Sequence, residues 1–317
     1  MAMAMEFEVL DHPKLCFGEG LRWHDGSLHV VDMYGDEAVY KVESEGMGEV
    51  TEVVKVPGQP SGTGWLPDGR MIVVSMKTRK VLAFDGRTLS THADLGDLAA
   101  GEANDMVVDG TGRAYVGNFG FDLFSLGSLL QKVKYYAFLA LFAITSRPFT
   151  SLVPGTADLV CLSPDGKARK VAAGLLFPNG MVITPDGGTL IVAETLGARL
   201  TAFDILEADG GLASRRVWAK LPWGATADGI CLDSAGSVWV ASPTTKECLR
   251  VEEGGRVTHR VRTSQPCFAC ALGGGDGRTL YACTAPSHHR EECQRGGGRR
   301  GRIERARGAP HPRAGWP

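Results

Sequence analysis

No apolar run in this sequence is long enough to cross a bilayer. The longest, Tyr135 to Ile144, has ten residues, and a spanning helix needs about twenty. Charge of one sign is also lacking: 34 basic residues face 36 acidic ones, a net of −2. Such a chain has no global field to recruit nucleic acid or an anionic membrane. The opening residues, Met1-Ala2-Met3-Ala4-Met5, lack the basic region and long apolar stretch of a secretory signal. The expected location is therefore the cytoplasm, with the eight cysteines as reduced thiols. There is no phosphate-binding Gly-Lys-Ser/Thr loop, no dinucleotide fingerprint between a strand and a helix, and no Gly-x-Ser-x-Gly elbow around Ser61. These absences argue against a nucleotide-binding domain and against a serine-hydrolase triad.

What the sequence has in abundance is glycine, 42 residues, which points to many tight turns. Many of them fall in a repeat. Six copies of one unit begin at Glu19, Ser61, Asn104, Asn179, Asp228 and Ala269, which are 42, 43, 75, 49 and 41 positions apart. Each copy runs from an apolar segment into a turn such as Asp25-Gly26, Asp68-Gly69 or Asp186-Gly187. Glycine accepts the positive φ of such hairpin turns without steric cost. β-rich segments follow, for example Met71-Ile72-Val73-Val74 and Val238-Trp239-Val240. A period in the forties with about four strands per copy is that of propeller blades. The expected fold is all-β: one six-bladed β-propeller domain over residues 1–317.

The 75-residue spacing marks an insertion at about 123–157, mainly helical or loop, in the third blade. Lys132 and Lys134 open its apolar stretch and Pro148 follows it, as at the two ends of a helix. It reads as an elaborated loop, as a lid over the site, or least readily as an interfacial membrane contact. The tail, about 290–317, is rich in Arg and Gly, and Arg305-Ala306-Arg307-Gly308-Ala309-Pro310 does not alternate like a strand. Phe7-Glu8-Val9-Leu10 supplies one closing strand; its C-terminal partner reads as degraded and the tail as a candidate for disorder.

The first residue of each copy is expected at the inner end of the innermost strand, so the six form a ring about the axis. Glu19, Asn104, Asn179 and Asp228 bring two carboxylates and two amides, hard oxygen donors suited to one divalent metal ion such as Ca²⁺, Mg²⁺ or Mn²⁺. No His or Cys occupies the ring, against a structural zinc site. A metal with open positions polarises a substrate carbonyl, and a carboxylate beside it activates water or attacks directly. Asp228 is the candidate base or nucleophile. The expected partner is a small-molecule ester or lactone, not nucleic acid.

These residues resemble the senescence marker protein / gluconolactonase / luciferin-regenerating enzyme family of six-bladed propellers. The resemblance rests on Gly18-Glu19-Gly20-Leu21-Arg22-Trp23, Asn104-Asp105, Phe177-Pro178-Asn179-Gly180-Met181, Asp228-Gly229-Ile230 and Gly301-Arg302-Ile303-Glu304, and covers roughly residues 7–304. It implies that Glu19, Asn179 and Asp228 bind the metal, with Ca²⁺ first and Mg²⁺, Mn²⁺ or Zn²⁺ as alternatives. It implies that Asn104 contacts substrate or joins the metal shell, that Asp228 is the base or nucleophile, and that the reaction is lactone hydrolysis. Phosphotriester hydrolysis and a non-catalytic calcium-binding propeller are the alternatives.

Two features depart from the family pattern. Glu102 stands where sugar lactonases often carry an Arg, and the insertion is apolar. An acid in place of a base disfavours anionic substrates and argues against an aldonolactone, and an apolar lid suits a more hydrophobic ester or lactone. Ser61, Glu102, Trp223 and Phe268 are further candidates for the pocket, as is Trp65, because they lie near inner-strand starts.

Overall fold

The computed structural model describes residues 5–43, 50–121, 129–145 and 150–314. They form six four-stranded antiparallel sheets arranged as a six-bladed β-propeller. Within each of the first five blades the strands pair in chain order, innermost to outermost. Their innermost strands are Gly18–His24, Pro60–Trp65, Ala103–Val108, Pro178–Ile183 and Ile230–Leu232.

Burial explains why some strands are legible and others are not. The second strands Met71–Ser75 and Val238–Ser242 are buried at every residue. Strands covered on both faces read as continuous apolar runs, and these do. The outermost strands sit at the rim. Val257–Arg262 is mostly exposed or half-buried, and Leu89–Asp94 likewise. Their polar side chains suit a sheet edge that must not pair with another chain.

Between the second and third strands of blade three, Ala114–Asn118 and Ala157–Leu162, lies helix α1, Leu129–Thr145. Phe138 is buried on its inner side, while Leu130, Val133, Tyr136 and Ile144 are exposed. Pro148 lies outside the described residues, so its role after the helix is not placed. Among the described residues no helix is long and apolar enough to cross a membrane.

Blade six corrects the reading of the tail. Residues 301–307 form a strand that pairs with Thr279–Thr284 on one side and with Glu8–Leu15 on the other. The strand therefore closes the ring by joining both ends of the chain. Its sequence hides the alternation because arginine stands at the water-facing positions. Gly301, Ile303, Glu304 and Ala306 are buried, whereas Arg302 and Arg307 are exposed. Arg305 reaches sideways to the Glu8 carboxylate. Beyond it the chain crosses the base of blades five and six, where the Ser234 and Ala314 amides donate to the carbonyls of Pro312 and Leu232. The expectation of a degraded partner strand fails for this reason: Ile303 is the one large apolar residue among the buried positions, which otherwise hold Gly301, Glu304 and Ala306.

Candidate active site

The site is built at one repeated irregularity. In blades one, two, three, four and six the innermost pairing carries one extra residue, between Glu19 and Arg22, Pro60 and Thr63, Ala103 and Met106, Pro178 and Met181, and Cys267 and Ala269. Such bulges bend a strand and re-aim a side chain. The residue at this point is Glu19, Ser61, Asn104, Asn179 or, in blade six, Phe268. Asp228 holds the same place in blade five, where its amide donates to Ala241 and Ala241 donates back to Gly229. The sixth ring member is thus Phe268, not Ala269, which has already resumed pairing with Cys283.

Five of the six ring residues are preceded by a segment that a side chain fixes. The Asp32 carboxylate accepts the amides of Cys16 and Phe17, ahead of Glu19. Ser75 donates to the Pro57 carbonyl, ahead of Ser61. Glu194 accepts from the Leu176 amide, ahead of Asn179. Thr244 accepts from Thr226, and Glu304 from Ser264, ahead of Asp228 and Phe268. Bonds of this kind from buried side chains such as Glu194 and Glu304 tie the approaching segment to its blade and so rigidify the site. Sequence reading missed them, since each lies far along the chain from the residue it positions.

Glu19, Asn104, Asn179, Asp228 and Phe268 all face one cavity of about 210 Å³. Ser61 does not; it is buried behind the site and donates to Asn104 Oδ1 at 3.3 Å. Asn104 Nδ2 donates to the Pro178 carbonyl at 3.2 Å, so its amide is held at both ends. Glu102 is buried but is not on the cavity wall. Trp223 is 74% exposed and donates to the Thr145 carbonyl at the end of α1. Trp65 stacks on His24 at 3.9 Å between ring centroids, away from the cavity wall.

The polar end of the cavity is acidic. The Asn179 amide, which works against the rise of the Asp228 carboxyl, donates to Thr195 Oγ1 at 3.3 Å. Asp228 Oδ1 is buried and has no hydrogen-bond partner. Burial, with the negative charges of Asp228 and Asp105, pushes the Glu19 carboxyl well above the ordinary range. Burial and Asp105 push Asp228 up likewise. The cation closest to hand, Arg22, is committed to Asp105 Oδ1 at 2.9 Å and to the Met106 carbonyl at 2.6 Å. Two carboxylates thus converge without a counter-charge of their own. Among the described residues no three His, Cys, Asp or Glu side chains form a metal cluster, so the charged donors here number two, with amide oxygens beside them.

Residues 17–286 match the SMP-30/gluconolactonase/LRE-like region. The chain belongs to this family. It is 24% identical over 280 residues to regucalcin of Xenopus laevis, covering 84% of this chain and 83% of that one. Among solved structures it resembles a calcium-binding protein, regucalcin, from Agrobacterium tumefaciens, with TM-score 0.71, 19% identity and 99% of both chains covered. It also resembles a gluconolactonase from Xanthomonas campestris, with TM-score 0.69, 20% identity, and 96% and 89% covered.

Proposed function

We propose that this propeller is a divalent-metal-dependent hydrolase of a small lactone or ester. The observation that carries the reading is the Asp228 carboxylate, buried with Oδ1 unpartnered beside Glu19 and Asn179 on a cavity wall. A buried charge of this kind is costly unless a cation meets it. Glu19, Asp228 and the Asn179 carbonyl form a hard-oxygen donor set that fits such an ion. Bound there, the ion supplies Lewis-acid polarisation of the substrate carbonyl.

The protein's own groups do the rest. Asp228 would take the proton of a water that adds to the carbonyl, or add to it directly to form an acyl intermediate that water then cleaves; on either route the acyl C–O bond breaks and its oxygen leaves as an alcohol, with a proton that comes from the water. Asn104, pinned by Ser61 and Pro178, orients the substrate beside it. Arg22 pairs with Asp105, so Glu19 and Asp228 are the two carboxylates on the cavity wall and neither has an ion pair among the described residues. The family description, with its gluconolactonase component, supports hydrolysis of this class.

The test pairs calorimetric titration of Ca²⁺, Mg²⁺, Mn²⁺ and Zn²⁺ with turnover of a lactone and aryl-ester panel. Chelator should abolish turnover, and Asp228→Ala should lower kcat/KM by about 10²–10⁴-fold while weakening cation binding. Turnover that survives both changes overturns the mechanism. Tight cation binding with no turnover favours a calcium-binding propeller instead.

A further inference from the structure

Apart from the acidic ring, much of the cavity lining is apolar. Phe119 and Phe177 stack with centroids 4.4 Å apart, and Phe17 tilts onto Phe268 at 4.6 Å. Met76 and Leu196 continue this wall, and Phe138 reaches it from α1. No Lys or Arg lines the cavity among the described residues.

The hydroxyls on the wall are already committed. Thr195 donates to the Ala227 carbonyl at 2.7 Å and Thr244 to the Gly224 carbonyl at 2.7 Å. Thr226 pairs with Thr244, and Tyr34 donates to the His288 carbonyl at 2.8 Å. A polyhydroxylated ring entering here gives up water for walls with few free partners, and each hydroxyl left unpaired weakens binding. An anionic substrate meets Glu19 and Asp228 with no lysine or arginine on the wall to offset them, and burial, with the neighbouring His289, lowers the pKa of His288, the one imidazole on the described wall, to about 4. An alkyl or aryl chain meets neither penalty and gains contact with the phenylalanines.

We infer that the substrate is a neutral lactone or ester bearing an apolar chain, with its carbonyl at the ring and its chain between Phe17, Phe119, Phe138, Phe177 and Phe268. This inference rests on the hydrolase reading and names its substrate class. The insertion then has a purpose in specificity: it delivers Phe138 to a wall built otherwise from the blades, and Trp223 holds the helix end through Thr145.

The experiment has two arms. In the first, kcat/KM is measured for γ-butyrolactone, its γ-alkyl homologues up to γ-decalactone, and glucono-δ-lactone. Each methylene should raise kcat/KM about threefold to fourfold until the cavity is full, with gluconolactone below the alkyl members. Phe138→Ala should cost several-fold more on the longest homologue than on butyrolactone, with the melting curve checking its fold. In the second arm, displacement of the neutral dye Nile red is followed with decanol and with sorbitol. Decanol should displace it and sorbitol should not.

A flat or falling series with gluconolactone preferred overturns the apolar substrate and leaves hydrolysis standing. Decanol binding without turnover of any lactone overturns hydrolysis and leaves the apolar pocket standing. Absence of both binding and turnover overturns both.

Discussion

At the scale of single residues, buried acceptors decide how firmly the site is held. Glu194 is fully buried. Burial alone raises its pKa, but hydrogen bonds from Arg199, Thr201 and the Leu176 amide outweigh that and hold it below 4.5. A carboxyl depressed in the folded state stabilises above its unfolded pKa and loses that effect as pH falls through its folded value. Glu194→Gln should therefore cost about 2–3 kcal/mol at pH 7, read by urea unfolding. The gap to the unsubstituted protein should narrow below about pH 4.5. A gap that is constant with pH would mean that the charge is not the source.

Such residues were not legible in the sequence. Asp32 and Glu194 end second strands, whereas Glu19 and Asn179 begin first ones, and only folding brings their segments together. The ring residues were legible because each occupies the same place in the repeat. Ala269 was misplaced for a local reason. The hairpins differ in length, from the two residues Asp25-Gly26 to the five between Gly273 and Thr279, so counting back from a turn slips by one.

At the scale of elements, the innermost strands pack their ring ends against the next blade through backbone. Gly180 lies so close to blade five that a Cβ there would be 2.5 Å from the Ile230 amide nitrogen. Its own amide donates to the Asp228 carbonyl at 3.2 Å, tying Asn179 to Asp228 across the blade boundary. The Asn179-Gly180 and Asp228-Gly229 pairs in the sequence thus couple a site residue to a close approach. Gly180→Ala should lower stability by about 1–3 kcal/mol in denaturant and reduce lactone turnover, because the strand must shift beside Asn179. Unchanged stability would show that the blades can part without loss. Helix α1 was legible from its apolar stretch, but not its anchor: Trp223 was expected in the pocket and instead stands outside it, holding Thr145.

At the scale of the whole molecule, closure depends on both ends of the chain. Residues 301–307 join Glu8–Leu15 to the rest of blade six, and Glu304 accepts from Ser264 and Thr284 within it. Deleting residues 1–10 removes the pairs Glu8 with Arg305, Val9 with Glu304 and Leu10 with Ile303. It should lower the melting temperature by at least about 10 °C by circular dichroism. A shift under about 2 °C would show that the ring holds without this strand.

The sequence by itself determined the number of blades, the turns between strands and five of the six ring positions. Repetition carries that information, and strands buried on both faces write it as apolar runs. Tertiary structure alone decided that an arginine-rich tail is a strand, that Phe268 completes the ring, and that Ser61, Glu102 and Trp223 stand off the cavity wall. Those outcomes depend on which face of a strand meets a neighbouring blade, and no local pattern records that. Glu19, Asn104, Asn179 and Asp228 line one cavity, and the fold adds what the repeat could not show: the phenylalanines that line it with them.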